Sequence, residues 1–299
     1  MKTGSHSPTE ISMSEYNNPS HELRARVALE KHGFHNTHSL GQNFILNENL
    51  LSQLLDAAEV CPDDCVLEIG PGPGLMTALL AEKCRRVLAI EMDRGLEPVL
   101  SDVLAGLENV RVAYQDFLKS DIAALTREVF GDAPYRVVAN LPYYITADIL
   151  LRLVTCERRP ESIAIMVQRE AAERIMSCPG EKQWCALAAT VQSFGQPRVL
   201  MDVSPEAFDP PPHVQSQFII IERHAVPVVA PLDEGVYLKL IAAAFAMRRK
   251  TLANNLKASF GLNNEGALAA LEAAGVDARV RGEVLTLQEL CRVADILAK

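Results

Sequence analysis

Between about Asn49 and Asp148 the chain alternates short, mostly apolar runs with stretches of helical period, and this alternation constrains its fold more than any other feature. Strands that are apolar on both faces belong to a parallel sheet covered by helices on either side. The pattern predicts strands at Cys65–Ile69, Arg86–Ile90, Val110–Tyr114, Tyr135–Ala139 and Ile163–Gln168. The helices between them include Leu75–Lys83, Leu96–Leu104 and Ile122–Val129. Two further strands, Gln196–Val203 and Gln217–Arg223, flank a proline-rich loop. The expected fold class is α/β, a doubly wound sheet. After Pro231 the pattern turns to almost continuous helix, at Glu234–Met247, Thr251–Ser259, Glu265–Ala274 and Thr286–Leu297, with Gly261 and Gly275 as stops. The chain therefore divides into a polar arm at 1–20, expected to be disordered, a sheet domain at 21–230 and a small all-α domain at 231–299.

Charge bears directly on function. The net charge of −9 argues against a nucleic-acid partner, because phosphate binding depends on Lys and Arg displacing counterions. Its distribution weakens the objection: residues 1–209 carry a net −10 and residues 210–299 a net +1. The seven cysteines are scattered without CxxC pairs, which points to reduced thiols rather than a disulfide framework or a metal site. No apolar run approaches the length of a membrane span, and the first twenty residues lack the basic start and apolar stretch of a secretory signal.

The segment Glu68-Ile69-Gly70-Pro71-Gly72-Pro73-Gly74 falls where a strand ends and a helix begins, so its glycines permit a tight turn and close approach of main-chain N–H groups to a ligand. Alone, such a loop is also found as a plain structural turn. Glu91 ends the next strand and can accept ribose hydroxyls, and Asp116 ends the third, within reach of an adenine amino group. Gly, Glu and Asp at three successive strand ends indicate a nucleoside cofactor. The loop reads GxGxG rather than the pyrophosphate-binding GxGxxG, which favours S-adenosylmethionine over NAD.

Asn140-Leu141-Pro142-Tyr143 follows the fourth strand. The segment suits methylation of an exocyclic adenine amine, whose lone pair is delocalised into the ring. The Asn140 side-chain oxygen and a main-chain carbonyl at Leu141 or Pro142 can accept its two N–H bonds, while Tyr143 stacks on the ring. In-line displacement at the sulfonium then needs alignment more than a strong base, and no metal.

With these segments in place, the chain resembles the KsgA/RsmA family of ribosomal RNA adenine dimethyltransferases from Ser39 to the C-terminus. Further segments carrying the resemblance are Ser39-Leu40-Gly41-Gln42-Asn43-Phe44, Gln168-Arg169-Glu170, Phe208-Asp209-Pro210-Pro211-Pro212-His213-Val214-Gln215-Ser216 and Phe245-Ala246-Met247-Arg248-Arg249-Lys250-Thr251-Leu252. The resemblance implies a Rossmann-like methyltransferase sheet. It implies that Gln42, Asn43 and the backbone at Ile45 close over the cofactor, joining Gly70, Gly72, Glu91, Asp116 and Asn140. Phe208 would be the second aromatic against a flipped base, and Arg248-Arg249-Lys250 would contact RNA or pair structurally between domains.

The implied activity is N6,N6-dimethylation of two adjacent adenosines near the 3′ end of 16S rRNA in the immature small ribosomal subunit, by a cytoplasmic monomer. The chain departs from the family at Lys182-Gln183-Trp184-Cys185, where a Tyr-Gly pair is common, and at Ile45, where Leu is frequent. The competing readings are an Erm-type large-subunit RNA methyltransferase, disfavoured by the acidic charge, an assembly factor acting mainly by binding, and an adenine-N6 DNA methyltransferase, disfavoured by Leu141.

Overall fold

The computed structural model describes residues 19–34 and 41–299. The arm expected at 1–20 lies, up to residue 18, outside the described residues, as do Ser39 and Leu40 at the head of the motif that runs to Phe44.

A single seven-stranded sheet has the order β3-β2-β1-β4-β5-β7-β6. Its strands are β1 (Cys65–Ile69), β2 (Arg86–Glu91), β3 (Val110–Tyr114), β4 (Arg136–Asn140), β5 (Ser162–Gln168), β6 (Gly195–Val203) and β7 (Ser216–Arg223). β1 to β5 run parallel, whereas β7 is antiparallel to both neighbours. The alternating pattern carries no sign of that reversal. The chain doubles back after β6 through residues 204–215, which hold a 3-10 turn at Pro205–Ala207 and no crossover helix, so the pair closes as a hairpin. Order and direction together agree with the doubly wound expectation.

The sheet's two faces are separated by the period of two along each strand. Val66, Val87, Val138, Ala164, Phe218 and Ile220 face one core, with helices α1 (His21–Lys31), α2 (Glu48–Ala57), α3 (Leu75–Lys83) and α4 (Glu97–Val103). Leu67, Leu88, Val137, Ile163, Ile165, Ile219 and Ile221 face the other, with α5 (Ile122–Phe130), α6 (Thr146–Thr155), α7 (Arg169–Ile175) and α8 (Ala186–Phe194). Two predicted boundaries shift for local reasons. The helix predicted from Leu96 opens with a 3-10 turn at Arg94–Leu96, and α4 starts where Pro98 can sit without an N–H partner. The fourth strand starts one residue late because Tyr135 turns into the core, its hydroxyl donating to the Arg158 carbonyl at 2.6 Å.

Four helices follow: α9 (Glu234–Ala246), α10 (Leu252–Phe260), α11 (Asn264–Ala273) and α12 (Leu287–Leu297). Their core includes Tyr237, Leu240, Leu256, Leu271 and Leu290, and it takes in Trp184, Ala188 and Ala189 from the sheet side. Trp184, where the sequence departs from the family, is fully buried and meets Phe245 edge-on with ring centroids 6.2 Å apart. It therefore serves packing between the helices and the sheet rather than a surface contact.

Candidate active site

All the predicted cofactor residues converge on one cleft at the C-terminal ends of β1, β2, β3 and β4, where ligands bind open α/β sheets. Gly70, Gly72 and Gly74 all have positive φ, and Gly74 opens α3. Gly72 is required twice over. Its φ of 56° suits glycine, and an added Cβ would lie 2.8 Å from the Phe44 ring, which packs directly over the loop.

Phe44 belongs to a strap, Gly41–Leu46, fastened to three separate elements. Phe44 and Asp209 exchange two main-chain hydrogen bonds, at 3.0 and 2.8 Å. The Gln42 side-chain amide donates to Asp93 at 2.8 Å. The third tie is the Asn43 carbonyl, which accepts from Asn140 Nδ2 at 2.9 Å. Ile45 is buried and lines the cleft.

The acids occupy distinct environments. Glu91 is 6 % exposed; its Oε1 accepts the Asp93 N–H at 2.7 Å and its Oε2 the Gly72 N–H at 3.2 Å. Burial raises its pKa, and those two donors restrain the rise. Asp116 is partly open, with one oxygen accepting from the Leu118 N–H and the other paired with Lys119 at 2.9 Å, so its pKa is lowered, chiefly by the Lys119 contact. Glu68 is fully buried, and among the described residues neither of its oxygens has a hydrogen-bond partner of ordinary geometry; the Thr77 hydroxyl alone favours its ionised form. Among the described residues, Glu68, Glu91, Asp93 and Asp116 line the cleft and no Lys, Arg or His does. Such a wall suits hydroxyl donors and a cation, and opposes a pyrophosphate.

In the segment after β4, Leu141 is buried and Asn140, Pro142 and Tyr143 are half-buried at the same cleft. Because Asn140 commits its amide N–H to the Asn43 carbonyl, the side-chain orientation is fixed and Oδ1 remains as the acceptor. The Pro142 carbonyl already accepts from the Ile145 N–H at 3.3 Å and the Thr146 hydroxyl at 3.2 Å. Tyr143 shares a 2.6 Å hydrogen bond with the buried Ser216 hydroxyl at the start of β7. Ser216 ends the motif that begins at Phe208, yet nothing in its type or spacing marks this contact.

Two expectations fall elsewhere. Phe208 is 4 % exposed, sits in the core shared with Phe44, and is not among the residues lining the cleft. Its ring is core here, and facing a base would require uncovering it. Arg248-Arg249-Lys250 lies in the turn between α9 and α10 rather than on a helix face. Arg248 donates to the Lys182 carbonyl at 2.6 Å and pairs with Glu283 at 3.5 Å, which is the structural alternative. Arg249 and Lys250 are exposed, with no side-chain partner among the described residues.

The family described as ribosomal RNA adenine dimethylase matches residues 33–299. The ribosomal RNA small subunit methyltransferase A of Alkaliphilus metalliredigens is 41% identical over 267 residues, covering 89% of this chain and 93% of that protein. Among solved structures, a dimethyladenosine transferase from Plasmodium falciparum is similar in fold, with a TM-score of 0.68 and 23% identity over 83% of this chain and 94% of that one. The 23S rRNA methyltransferase ErmE gives a TM-score of 0.62 and 25% identity over 86% of this chain and all of that one.

Proposed function

The chain belongs to the ribosomal RNA adenine dimethylase family, and from that premise we propose that it uses S-adenosylmethionine to dimethylate N6 of two adjacent adenosines near the 3′ end of 16S rRNA in the immature small subunit. The observation that carries this reading is the anchored Asn140, whose Nδ2 is spent on the strap and whose Oδ1 is left as acceptor at the cleft. An amine with two N–H bonds needs two acceptors to hold it pyramidal. With the Pro142 carbonyl already accepting twice, the second acceptor is the carbonyl of Leu141.

The cleft fits the cofactor by its chemistry. Glu91 would take the ribose hydroxyls, Asp116 the adenine end, and the Gly70–Gly72 turn and strap would enclose the remainder, with acids only around a cationic centre. Bound there, the cofactor supplies an electrophilic methyl group on a sulfonium. Asn140 orients the attacking nitrogen, and Tyr143, held by Ser216, presents its ring to the base. In this reading residues 21–230 carry catalysis and residues 231–299 form a helical domain. Arg249 and Lys250 in its first turn are free to meet phosphates. The protein would act as a cytoplasmic monomer; among the described residues, no helix is long and apolar enough to cross a membrane.

Labelled S-adenosylmethionine offered with unmethylated small subunits, large subunits and duplex DNA, followed by nucleoside analysis, tests the proposal. Dimethyladenosine from small subunits alone is expected. Product from large subunits would replace this reading with the Erm-type one, and product from none would leave an assembly factor that binds without catalysing.

A further inference from the structure

Glu68 is enclosed at the floor of the cleft and has no task in the mechanism above. It is 0 % exposed, and neither oxygen meets a protein hydrogen-bond donor of ordinary geometry. Thr77, alongside it on α3, is equally buried, and its hydroxyl, outside ordinary hydrogen-bond geometry, is the one side-chain group that favours the ionised form, too weakly to offset burial. An ionised carboxylate in such a place is costly unless a positive charge compensates it. Among the described residues, none stands against it. On the β2 side stands Glu91, another acid, whose charge opposes ionisation of Glu68. Just past the end of α3 lies Cys84, a thiol pushed up to about 12 by burial and therefore neutral. The cleft wall in front carries acids and, among the described residues, no cation.

Building on the cofactor reading above, we propose that Glu68 is a specificity-determining residue that favours the cationic cofactor over its neutral product, ionising when the cofactor binds and taking its proton back once the methyl group has left. S-adenosylmethionine carries a net charge of +1 from its sulfonium, ammonium and carboxylate. S-adenosylhomocysteine lacks the sulfonium and is neutral overall. Binding of the first drives Glu68 from COOH to COO⁻ with release of the proton to solvent, so the buried charges pair. After transfer the positive charge leaves with the methylated amine, which sheds its own proton. The unpaired carboxylate then reprotonates, and the hold on the neutral product weakens. Burial, which sets Glu68 at about 8 in the ligand-free chain, leaves it protonated at pH 7 and able to respond.

Calorimetric titration of the full chain at pH 7, in buffers of different ionisation enthalpy, reads the protons released per ligand bound. The expectation is about half to one proton released with S-adenosylmethionine and close to none with S-adenosylhomocysteine. The near-isosteric Glu68→Gln should abolish the difference and reduce the preference for S-adenosylmethionine by about tenfold. Equal proton counts for the two ligands on the unaltered chain would overturn the proposal, as would release that persists in Glu68→Gln. The unaltered chain decides the matter even if the variant does not fold. Binding of neither ligand would overturn the cofactor reading itself, and this inference with it.

Discussion

Asn140 Nδ2 lies 2.9 Å from the carbonyl oxygen of Asn43, a hydrogen bond spanning 97 residues of sequence that joins the segment after β4 to the strap across the cofactor cleft. One side chain thereby holds the strap with its donor and offers its acceptor to the reacting amine. Replacing Asn140 by Ala should therefore weaken cofactor binding only modestly, within about tenfold, since a single neutral hydrogen bond to the strap is removed. Turnover should fall by on the order of 10²-fold or more, because the group that positions the nitrogen is gone. Cofactor titration together with single-turnover methylation of small subunits checks both halves; near-normal turnover would remove Asn140 from the reaction.

The Tyr143 hydroxyl and Ser216 Oγ, 2.6 Å apart, make a second long-range tie, between the segment after β4 and the first residue of β7. If Ser216 acts by fixing the Tyr143 ring, Ser216→Ala and Tyr143→Phe should each lower kcat several-fold and leave cofactor affinity unchanged. The double variant should then be no worse than either single one, with a coupling energy of about 0.5–3 kcal/mol. Additive losses would show that the two residues act separately, and Ser216→Thr should restore part of the rate.

Much of this arrangement was legible in the sequence, for a definite reason. Strand ends that carry Gly70, Glu91, Asp116 and Asn140 are marked by apolar runs stopping at polar residues, and the doubly wound fold brings all such ends to one edge. The reversed direction of β7 was not legible, because hydrophobic period records burial and not polarity of the strand. Phe208 was placed against a base by the family resemblance, and what the sequence could not show is that its side chain packs in the same core as Phe44. The role of Ser216 depends on a partner 73 residues away and that of Glu68 on the absence of a charge partner, and neither condition leaves a local signal.

Arg248 and its two basic neighbours should separate under mutation. Arg248→Ala breaks the ties to the Lys182 carbonyl and Glu283, so it should lower the denaturation midpoint with little change in the salt dependence of subunit binding. The Arg249→Ala, Lys250→Ala pair should leave the unfolding free energy within about 0.5 kcal/mol of the parent, as expected for exposed positions without partners. Under the proposed function it should weaken small-subunit binding and make its dependence on log[salt] shallower by about 2, one unit for each phosphate no longer neutralised. Filter binding across a salt series would expose the opposite pattern if Arg248 were the residue meeting RNA.

The buried carboxyl of Glu68 also sets how stability responds to pH. Its folded-state pKa is raised, chiefly by burial, from 4.5 to about 8, so between these values the folded chain holds a proton that the unfolded chain releases. The stability this contributes is complete below about 4.5 and is lost as the pH rises through about 8. Glu91 is shifted in the same direction, also by burial, and remains present in a Glu68 variant. Glu68→Gln cannot ionise, so its denaturation midpoint should gain on that of the parent between pH 5 and 8 and stop gaining above that range. Parallel urea titrations at unit pH intervals measure the gap; a gap that stayed constant, or closed, would mean that Glu68 is already ionised in the folded chain.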